Sequence, residues 1–300
     1  MIVFFIALML LVCVALPLVF AWRLWRLDAP SRLDWLLAFA STAAFVALVM
    51  LVGRWDIAGL WTRFVLLVVL AAAAFISLRR HLRRPWFSGD ASAFWRRQGS
   101  TIVTMLIVGT MLAYVLAGQL EKEEVQEFAF PLRDGHFVVA QGGAGLLNHH
   151  SSNRAQRRAL DITAVNAAGF RVSGILPADP ARYVVFGKTV TSPCDGSVVA
   201  ARDGLPDLSP PAAARKNPAG NHVLLSCGDL QVELAHLQQG SVAVASGERV
   251  HTGEAIGKVG NSGNTTEPHL HVHAVDPQTG AGVQMVFDGV APKRNTHFRR

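Results

Sequence analysis

Two histidines separated by a single residue, His269 and His271, are the most informative feature of this chain. If this stretch is a β-strand, alternation places both imidazoles on one face, about 6 to 7 Å apart along the backbone, where both can reach one metal-centred site. A polar strand face can also carry two histidines without any metal. A metal site therefore requires further ligands elsewhere in the chain.

Further candidate ligands occur upstream of this pair. His149 and His150 precede Asp161, and His236 lies between Asp161 and the pair. A catalytic zinc ion takes three protein ligands from His, Asp or Glu and keeps a fourth position for water. The chain therefore contains residue types sufficient for a catalytic zinc site.

Long apolar runs, three of them without any charge, indicate that the first part of the chain crosses a membrane, as does a composition that is 51% hydrophobic. Each run is close to the roughly 20 residues that span a bilayer as a helix. The predicted membrane helices cover residues 2–21, 35–53, 60–78 and 100–120. Arg63 lies near the start of the third helix, where its side chain can extend to the lipid headgroups. We therefore predict a membrane domain of four helices at 1–120.

The arginines between these helices predict their orientation. Segments 22–34 and 79–99 are rich in arginine, whereas 54–59 holds one Arg and one Asp. Because arginine-rich loops stay in the cytoplasm, four spans leave the chain after residue 120 outside, in the periplasm or extracytoplasmic space. The first helix lacks the charged start and short apolar run of a signal peptide, so we expect it to remain uncleaved in the cytoplasmic membrane.

The net charge of +7 belongs to the membrane part of the chain. Residues 1–120 hold 11 Lys and Arg against 4 Asp and Glu, and the remaining residues hold 17 of each kind. Arginines beside membrane helices are explained by orientation, so the charge gives no argument for nucleic-acid binding. We expect the lipid bilayer, and no nucleic acid, as a partner of this part.

The sequence changes character after residue 120. Segment 121–135, which begins with Glu121-Lys-Glu-Glu, is predicted to be a juxtamembrane linker. From 136 to 300, short β-rich runs alternate with Gly, Pro, Asn and Asp, which predicts an all-β domain of mainly antiparallel strands. The proline-rich stretch 203–219 is predicted to be a surface loop.

Several short motifs follow one another in this exported part, after the upstream His and Asp. They are Ser-Pro-Cys-Asp-Gly-Ser-Val-Val at 192–199, Gly-Asn-His-Val-Leu-Leu at 220–225, Leu-Ala-His-Leu at 234–237, Gly-Glu-Arg-Val at 247–250, Gly-Lys-Val-Gly-Asn-Ser-Gly at 257–263 and Pro-His-Leu-His at 268–271. With these motifs, residues 140–287 resemble the LytM/lysostaphin-type zinc metallopeptidases, a family of peptidoglycan endopeptidases. The resemblance implies one zinc ion per chain and hydrolysis of peptide bonds in peptidoglycan stem peptides or cross-links by a membrane-anchored metalloendopeptidase.

The resemblance also implies the zinc ligands. It assigns Asp161, His271 and an upstream histidine. Many family members place that histidine four positions before the Asp, where this chain has Arg157, so the intervening loop must be longer than usual. A subgroup with Asn-x-His before Ala-Leu-Asp is similar to this chain and favours His150, with His149 as the alternative.

Asp161 lies in an apolar run, where an unpaired carboxylate is costly to bury. A metal ion is one partner that removes this cost. A salt bridge to Arg157 or Arg158 is the alternative.

The remaining histidines of the motifs are implied to be catalytic. By resemblance, one of His269 and His236 takes a proton from the attacking water, and the other donates to the developing oxyanion or steadies the water, roles that suit an imidazole. Asn221 and His222 are candidates for substrate binding, although packing explains His222 as well. For His273, which would share the face of the pair, we expect a rim or packing role.

Cys194 and Cys227 lie in the exported part, where oxidation is allowed. Each lies at the edge of a predicted strand. A disulfide between them and two buried free thiols are both open at this stage.

One further function competes with the peptidase, and another could accompany it. One is a catalytically silent adaptor of the same fold that binds peptidoglycan or regulates a hydrolase. Adaptors in the family have lost metal ligands, whereas this chain keeps a residue at every required position, which favours an enzyme. The other is a signalling role in addition to the peptidase: four helices exceed what an anchor requires and could transmit occupancy of the exported domain across the membrane. A protein regulator is a further possible partner, whose identity the sequence does not indicate.

Overall fold

The computed structural model describes residues 2–119 and 125–300. The end of the fourth predicted membrane helix, residue 120, and the start of the predicted linker, 121–124, lie outside the described residues. The chain divides into two compact units, with Val3–Ala117 in the first and Gly118–Arg300 in the second.

The first unit is built from helices. They are α1 (Ile2–Leu10), a π-helical turn (Leu11–Ala15), α2 (Leu16–Arg26), α3 (Arg32–Val52), α4 (Trp55–Ala58), α5 (Thr62–His81) and α6 (Ala91–Gln119). Among the residues that the structure describes, four helical stretches are long and apolar enough to cross a membrane. They are Val3–Arg26, Arg32–Val52, Thr62–His81 and Ala91–Gly118.

The last of these helices differs most from the sequence prediction. It begins at Ala91 rather than at residue 100, because residues 91–99, which include polar side chains, extend the helix ahead of the apolar run. Gln98 in this extension donates to the buried carboxylate of Asp34 at 2.7 Å, and Arg97 contacts the same carboxylate at 3.3 Å. Asp34 also accepts from Ser31, the residue that caps α3. These polar bonds tie α6 to the start of α3.

The second unit is built from short strands. They are β1 (Val125–Glu127), β2 (His136–Gln141), β3 (Leu160–Ala164), β4 (Thr189–Thr191), β5 (Gly196–Arg202), β6 (Asn221–Cys227), β7 (Leu230–Leu237), β8 (Arg249–Val250), β9 (Ala255–Lys258), β10 (Leu270–Asp276), β11 (Ala281–Val286) and β12 (His297–Arg299). The main sheet has the order β12-β2-β3-β10-β7-β6-β5-β8, with β11 beside β10 and β1 beside β11. Strands β4 and β9 form a separate pair.

The neighbours along the main order pair in antiparallel fashion, and β1 pairs with β11 in parallel. One face of this sheet carries the hydrophobic core. Leu160 and Ile162 of β3 and Leu270 and Val272 of β10 are all fully buried there. Because side chains alternate along a strand, the residues between them point to the opposite face. The predicted fold class, apolar N-terminal helices followed by a mainly antiparallel β-domain, is confirmed.

The stretch 203–219 contains no strand, as its prolines predicted. Two aspartates at its start fasten it to neighbouring turns. Asp203 accepts from the backbone amides of Gly240 and Val242, and Asp207 accepts from that of Asn261. The loop is therefore held against the β6–β7 end of the sheet.

Cys194 and Cys227 form a disulfide, with their Cα atoms 5.8 Å apart. Cys194 lies just before β5, and Cys227 ends β6. The bond joins these two adjacent strands at one end.

Candidate metal centre and catalytic histidines

The candidate site is centred on the carboxylate of Asp161. Asp161 of β3 lies directly opposite His271 of β10, on the face away from the core. His271 Nδ1 lies 2.9 Å from Asp161 Oδ1, and His150 Nε2 lies 3.0 Å from the same oxygen. The structure therefore brings together the three residues that the sequence nominated as zinc ligands.

The two upstream histidines are not equivalent. His150 Nε2 contacts both carboxylate oxygens of Asp161, and its side chain is 15% exposed. His149 Nδ1 is 3.8 Å from Oδ2, and its side chain is 61% exposed. The rings of the two histidines lie against each other with centroids 3.8 Å apart. This geometry favours His150 as the ligand and leaves His149 at the rim.

Asn148 explains how the longer loop before Asp161 is held. Its side chain is buried, accepts from the backbone amide of His150 at 3.1 Å and donates to the carbonyl of Ala159 at 2.9 Å. Both ends of the loop are thus tied to one amide side chain. His150 is positioned by this loop, whereas Asp161 and His271 are positioned by the sheet.

Histidines also control the charge of Asp161. Burial alone raises the pKa of this carboxyl, but the charge of His269 and the hydrogen bonds from His150 and His271 outweigh burial and hold the pKa well below its usual range. The carboxyl is therefore ionised at neutral pH.

The donor set fits zinc. Two imidazole nitrogens and one buried, ionised carboxylate converge from three different segments of the chain. Imidazole nitrogen and carboxylate oxygen are the ligands that catalytic zinc takes, and three protein ligands leave a position for water.

His269 presents its Nε2 atom to the centre. Its Nδ1 lies 2.9 Å from the carbonyl of Glu267 and 3.1 Å from the hydroxyl of Thr265, and its Nε2 lies 3.6 Å from Asp161 Oδ1. Glu267 is itself held by Arg171 at 2.7 Å. A proton on Nδ1 bonded to the carbonyl leaves Nε2 free to act on a substrate. Arg171 was not among the candidate residues, because it belongs to none of the motifs.

His236 reaches the centre through an irregularity in β7. Asn221 of β6 pairs with Leu237 and His222 pairs with Ala235, so His236 is an extra residue between two pairs. Its φ of 65° is in the left-handed region. Without this bulge, alternation would place His236 on the core face with Leu234.

The bulge turns His236 towards His269 instead. Their ring centroids lie 4.9 Å apart, and the centroid of His271 is 5.9 Å from that of His236. His236 Nδ1 lies 2.9 Å from the carbonyl of Ser262, which leaves Nε2 for the site. Burial, with the charges of His269 and His271, lowers the pKa of His236 well below its usual value, so the imidazole is neutral at physiological pH.

The two candidate substrate residues differ in placement. Asn221 is fully buried, and its amide bonds the backbone of Leu205 in both directions and donates to the carbonyl of Leu237. This placement favours a role in holding the loop 203–219 over contact with substrate. His222 is half-buried and lies opposite Ala235, which lies opposite His271, so it shares the face of the centre two strands away.

His273 is not a rim residue, because its side chain is buried. It lies on the face of His269 and His271, as alternation predicted, and its Nδ1 is 3.2 Å from His271 Nε2. Burial, with the charges of His271 and His150, lowers the pKa of His273 to about 3. Glu233, which the sequence reasoning missed, lies opposite it on β7.

Residues 183–281 match the profile of Peptidase family M23. This match confirms the resemblance to the LytM/lysostaphin-type peptidases. It includes His236, His269 and His271 and begins after Asp161. None of the curated proteins matches the chain.

Three solved structures are similar over part of the chain. The catalytic domain of lysostaphin from Staphylococcus simulans is 18% identical, with 54% of this chain and 86% of that chain covered and a TM-score of 0.27. A zinc-containing peptidase from Vibrio cholerae is 20% identical over 42% of this chain and 48% of that chain, with a TM-score of 0.26. A SpoIIIAH and SpoIIQ complex is 14% identical over 52% of this chain and 95% of that chain, with a TM-score of 0.34. At these TM-scores the similarities carry no argument about activity.

Proposed function

We propose that this chain, which carries an M23 peptidase domain at 183–281, is a membrane-anchored zinc metalloendopeptidase that hydrolyses peptide bonds in peptidoglycan stem peptides or cross-links. The observation that carries the proposal is the convergence of imidazole nitrogens from His150, His269 and His271 on one buried carboxylate oxygen of Asp161. Imidazole nitrogens around an ionised carboxylate are the ligand types of a catalytic zinc site.

His150, Asp161 and His271 would hold the zinc ion. When bound, zinc lowers the pKa of its water to about 7 and polarises the carbonyl of the scissile peptide bond. The buried carboxylate of Asp161 supplies the negative charge of the ligand set and lies between the two ligand imidazoles.

His236 and His269 would move the protons. Both rings point Nδ1 at a backbone carbonyl and keep Nε2 for the site. One Nε2 accepts the proton of the attacking water and returns it to the leaving amine, a role worth about 10² to 10⁴ in rate. The other Nε2 also carries a lone pair in the neutral ring, so it would accept a hydrogen bond from the attacking water and steady it.

The substrate would lie along the sheet face that carries the centre. Ala235 lies between His271 and His222 on this face, so only one small side chain separates the metal ligand from the half-buried His222. The four apolar helices would anchor the domain in the cytoplasmic membrane. The arginine-rich loops predict that the domain lies on the periplasmic or extracytoplasmic side. An anchored enzyme reaches the wall layer nearest the membrane.

The test uses the full-length protein purified in detergent, loaded with zinc and incubated with purified peptidoglycan. Released fragments are identified by mass spectrometry, which also identifies the bond. We expect zinc-dependent fragments that an Asp161→Ala variant does not release, whereas an Asp195→Ala variant, altered at an exposed aspartate away from the centre, releases them as wild type does.

Two results would count against the proposal. A protein that binds one zinc ion per chain but cleaves nothing would be an adaptor that uses the same fold for binding. A folded protein that binds no zinc would contradict the ligand assignment itself.

A further inference from the structure

His273 stands directly behind a proposed zinc ligand. On β10, His271 and His273 are two residues apart and point to the same face, and both side chains are buried. His271 Nε2 and His273 Nδ1 are 3.2 Å apart, which is hydrogen-bond distance. The other nitrogen of His271, Nδ1, is the one that faces Asp161.

The position of the single proton on a neutral His271 ring explains why this contact matters. A neutral imidazole has one protonated nitrogen and one lone pair. If Nδ1 uses its lone pair for a metal, the proton must be on Nε2, and a buried N–H needs an acceptor. The nitrogen placed to accept it is Nδ1 of His273.

We propose that His273 is a positioning residue that accepts a hydrogen bond from His271 Nε2–H and thereby fixes the tautomer and ring orientation in which His271 Nδ1 binds the metal. The proposal rests on the proposed function for the identity of the ligands. It adds a residue for which the family resemblance supplies no role. Partners that orient a metal-binding histidine in this way are worth about 10- to 100-fold in metal affinity.

Glu233 completes the surroundings of His273. It lies opposite His273 in the β7–β10 register. Ligand atoms of Glu233, His271 and His273 lie within 4.8 Å of one another, so these three residues could also hold a cation themselves. A cation there would need a lone pair on His271 Nε2, whereas the proposed hydrogen bond needs a proton on that atom. The two arrangements therefore exclude each other and make different predictions.

The test compares the zinc affinity of full-length variants in detergent by competition with a chromophoric chelator. His273→Phe and His273→Leu remove the acceptor and keep an apolar group in the site. His273→Asn keeps an acceptor oxygen close to the position of Nδ1. His297→Phe, at an exposed histidine on β12, is the matched control.

We expect zinc affinity to fall about 10- to 100-fold in His273→Phe and His273→Leu. His273→Asn and His297→Phe should remain close to wild type. Thermal unfolding of the metal-free proteins separates this effect from a merely structural one, which would lower the Tm of the metal-free variants and would not be rescued by the acceptor in His273→Asn.

Three results would overturn the proposal. Folded Phe and Leu variants with wild-type zinc affinity would show that the hydrogen bond does not orient His271. Two zinc ions per wild-type chain, with one lost in His273→Phe, would make Glu233, His271 and His273 a second metal site. Wild-type protein that binds no zinc would overturn both this proposal and the assignment of the zinc ligands. Tight zinc binding without peptide cleavage would overturn only the proposed peptidase activity and leave the role of His273 intact.

Discussion

A substitution at His236 can test its catalytic role separately from its structural role. Its ring has two functions on two different atoms: Nδ1 lies 2.9 Å from the carbonyl of Ser262, and Nε2 is left for the reaction. Its backbone is in the left-handed region at φ 65°. Asparagine is tolerated at positive φ, and its amide N–H₂ can donate where Nδ1–H does. The change His236→Asn therefore keeps the structural function and removes the catalytic one.

The expected magnitudes follow from these contacts. Keeping the hydrogen bond to Ser262 retains a contribution of about 0.5 to 1.5 kcal/mol to the free energy of unfolding. The left-handed backbone costs a non-glycine residue about 1 to 2 kcal/mol, and Asn, which adopts it more readily than most residues, adds no further strain. We expect the Tm of His236→Asn to stay near wild type while kcat falls by about 10² to 10⁴.

Leucine at the same position supplies the contrast. His236→Leu fills much of the volume but loses the bond to the Ser262 carbonyl and places a branched side chain at positive φ. It should lose activity as His236→Asn does and also unfold at a lower temperature. Peptidoglycan cleavage rates, zinc affinity and thermal unfolding of the three proteins are measured together. If folded His236→Asn cleaves at close to the wild-type rate with zinc bound, His236 Nε2 takes no part in the reaction.

Three further predictions concern other parts of the centre and its domain. Replacing Cys194 and Cys227 by alanine opens a covalent loop between residues 33 positions apart, which should lower the free energy of unfolding by about 4 kcal/mol on a chain-entropy basis; denaturation with and without reductant checks this, and equal stability would contradict it. Zinc at 100 times its dissociation constant should stabilise the folded protein by about 2.7 kcal/mol, an effect seen as a rise in Tm that a chelator reverses and that Asp161→Ala abolishes. Thr265→Val removes the hydroxyl 3.1 Å from His269 Nδ1 and should lower kcat roughly fivefold, as expected for one hydrogen bond of about 1 kcal/mol. A folded variant with wild-type kcat would show that this hydroxyl does not help to orient His269.

The parts of the centre that follow strand alternation were accessible from the sequence. Period 2 places His269, His271 and His273 on one face of β10, and the apolar residues around Asp161 place its carboxylate on the same side of β3. Pairing of Asp161 with His271 then follows once β3 and β10 are neighbours. Local pattern was sufficient here because both strands are regular and bury one face in the core.

Other parts depend on contacts that no local pattern carries. His236 reaches the centre only through the bulge opposite Asn221, and alternation alone would have turned it into the core. Asn221 was a candidate for substrate binding, yet its side-chain amide is hydrogen-bonded to the backbone of Leu205, because the loop 203–219 folds back on β6. The burial of His273 likewise depends on which strands lie beside β10, and no local sequence pattern predicts that strand order.

Titration of the metal-free, full-length protein with zinc, with the rate of peptidoglycan cleavage measured at each step, tests the central claim most directly. If His150, Asp161 and His271 hold one catalytic ion, the rate should start near zero, rise in proportion to bound zinc and level off at one equivalent per chain. Cleavage by the zinc-free protein, or no cleavage after one equivalent has bound, would contradict the account.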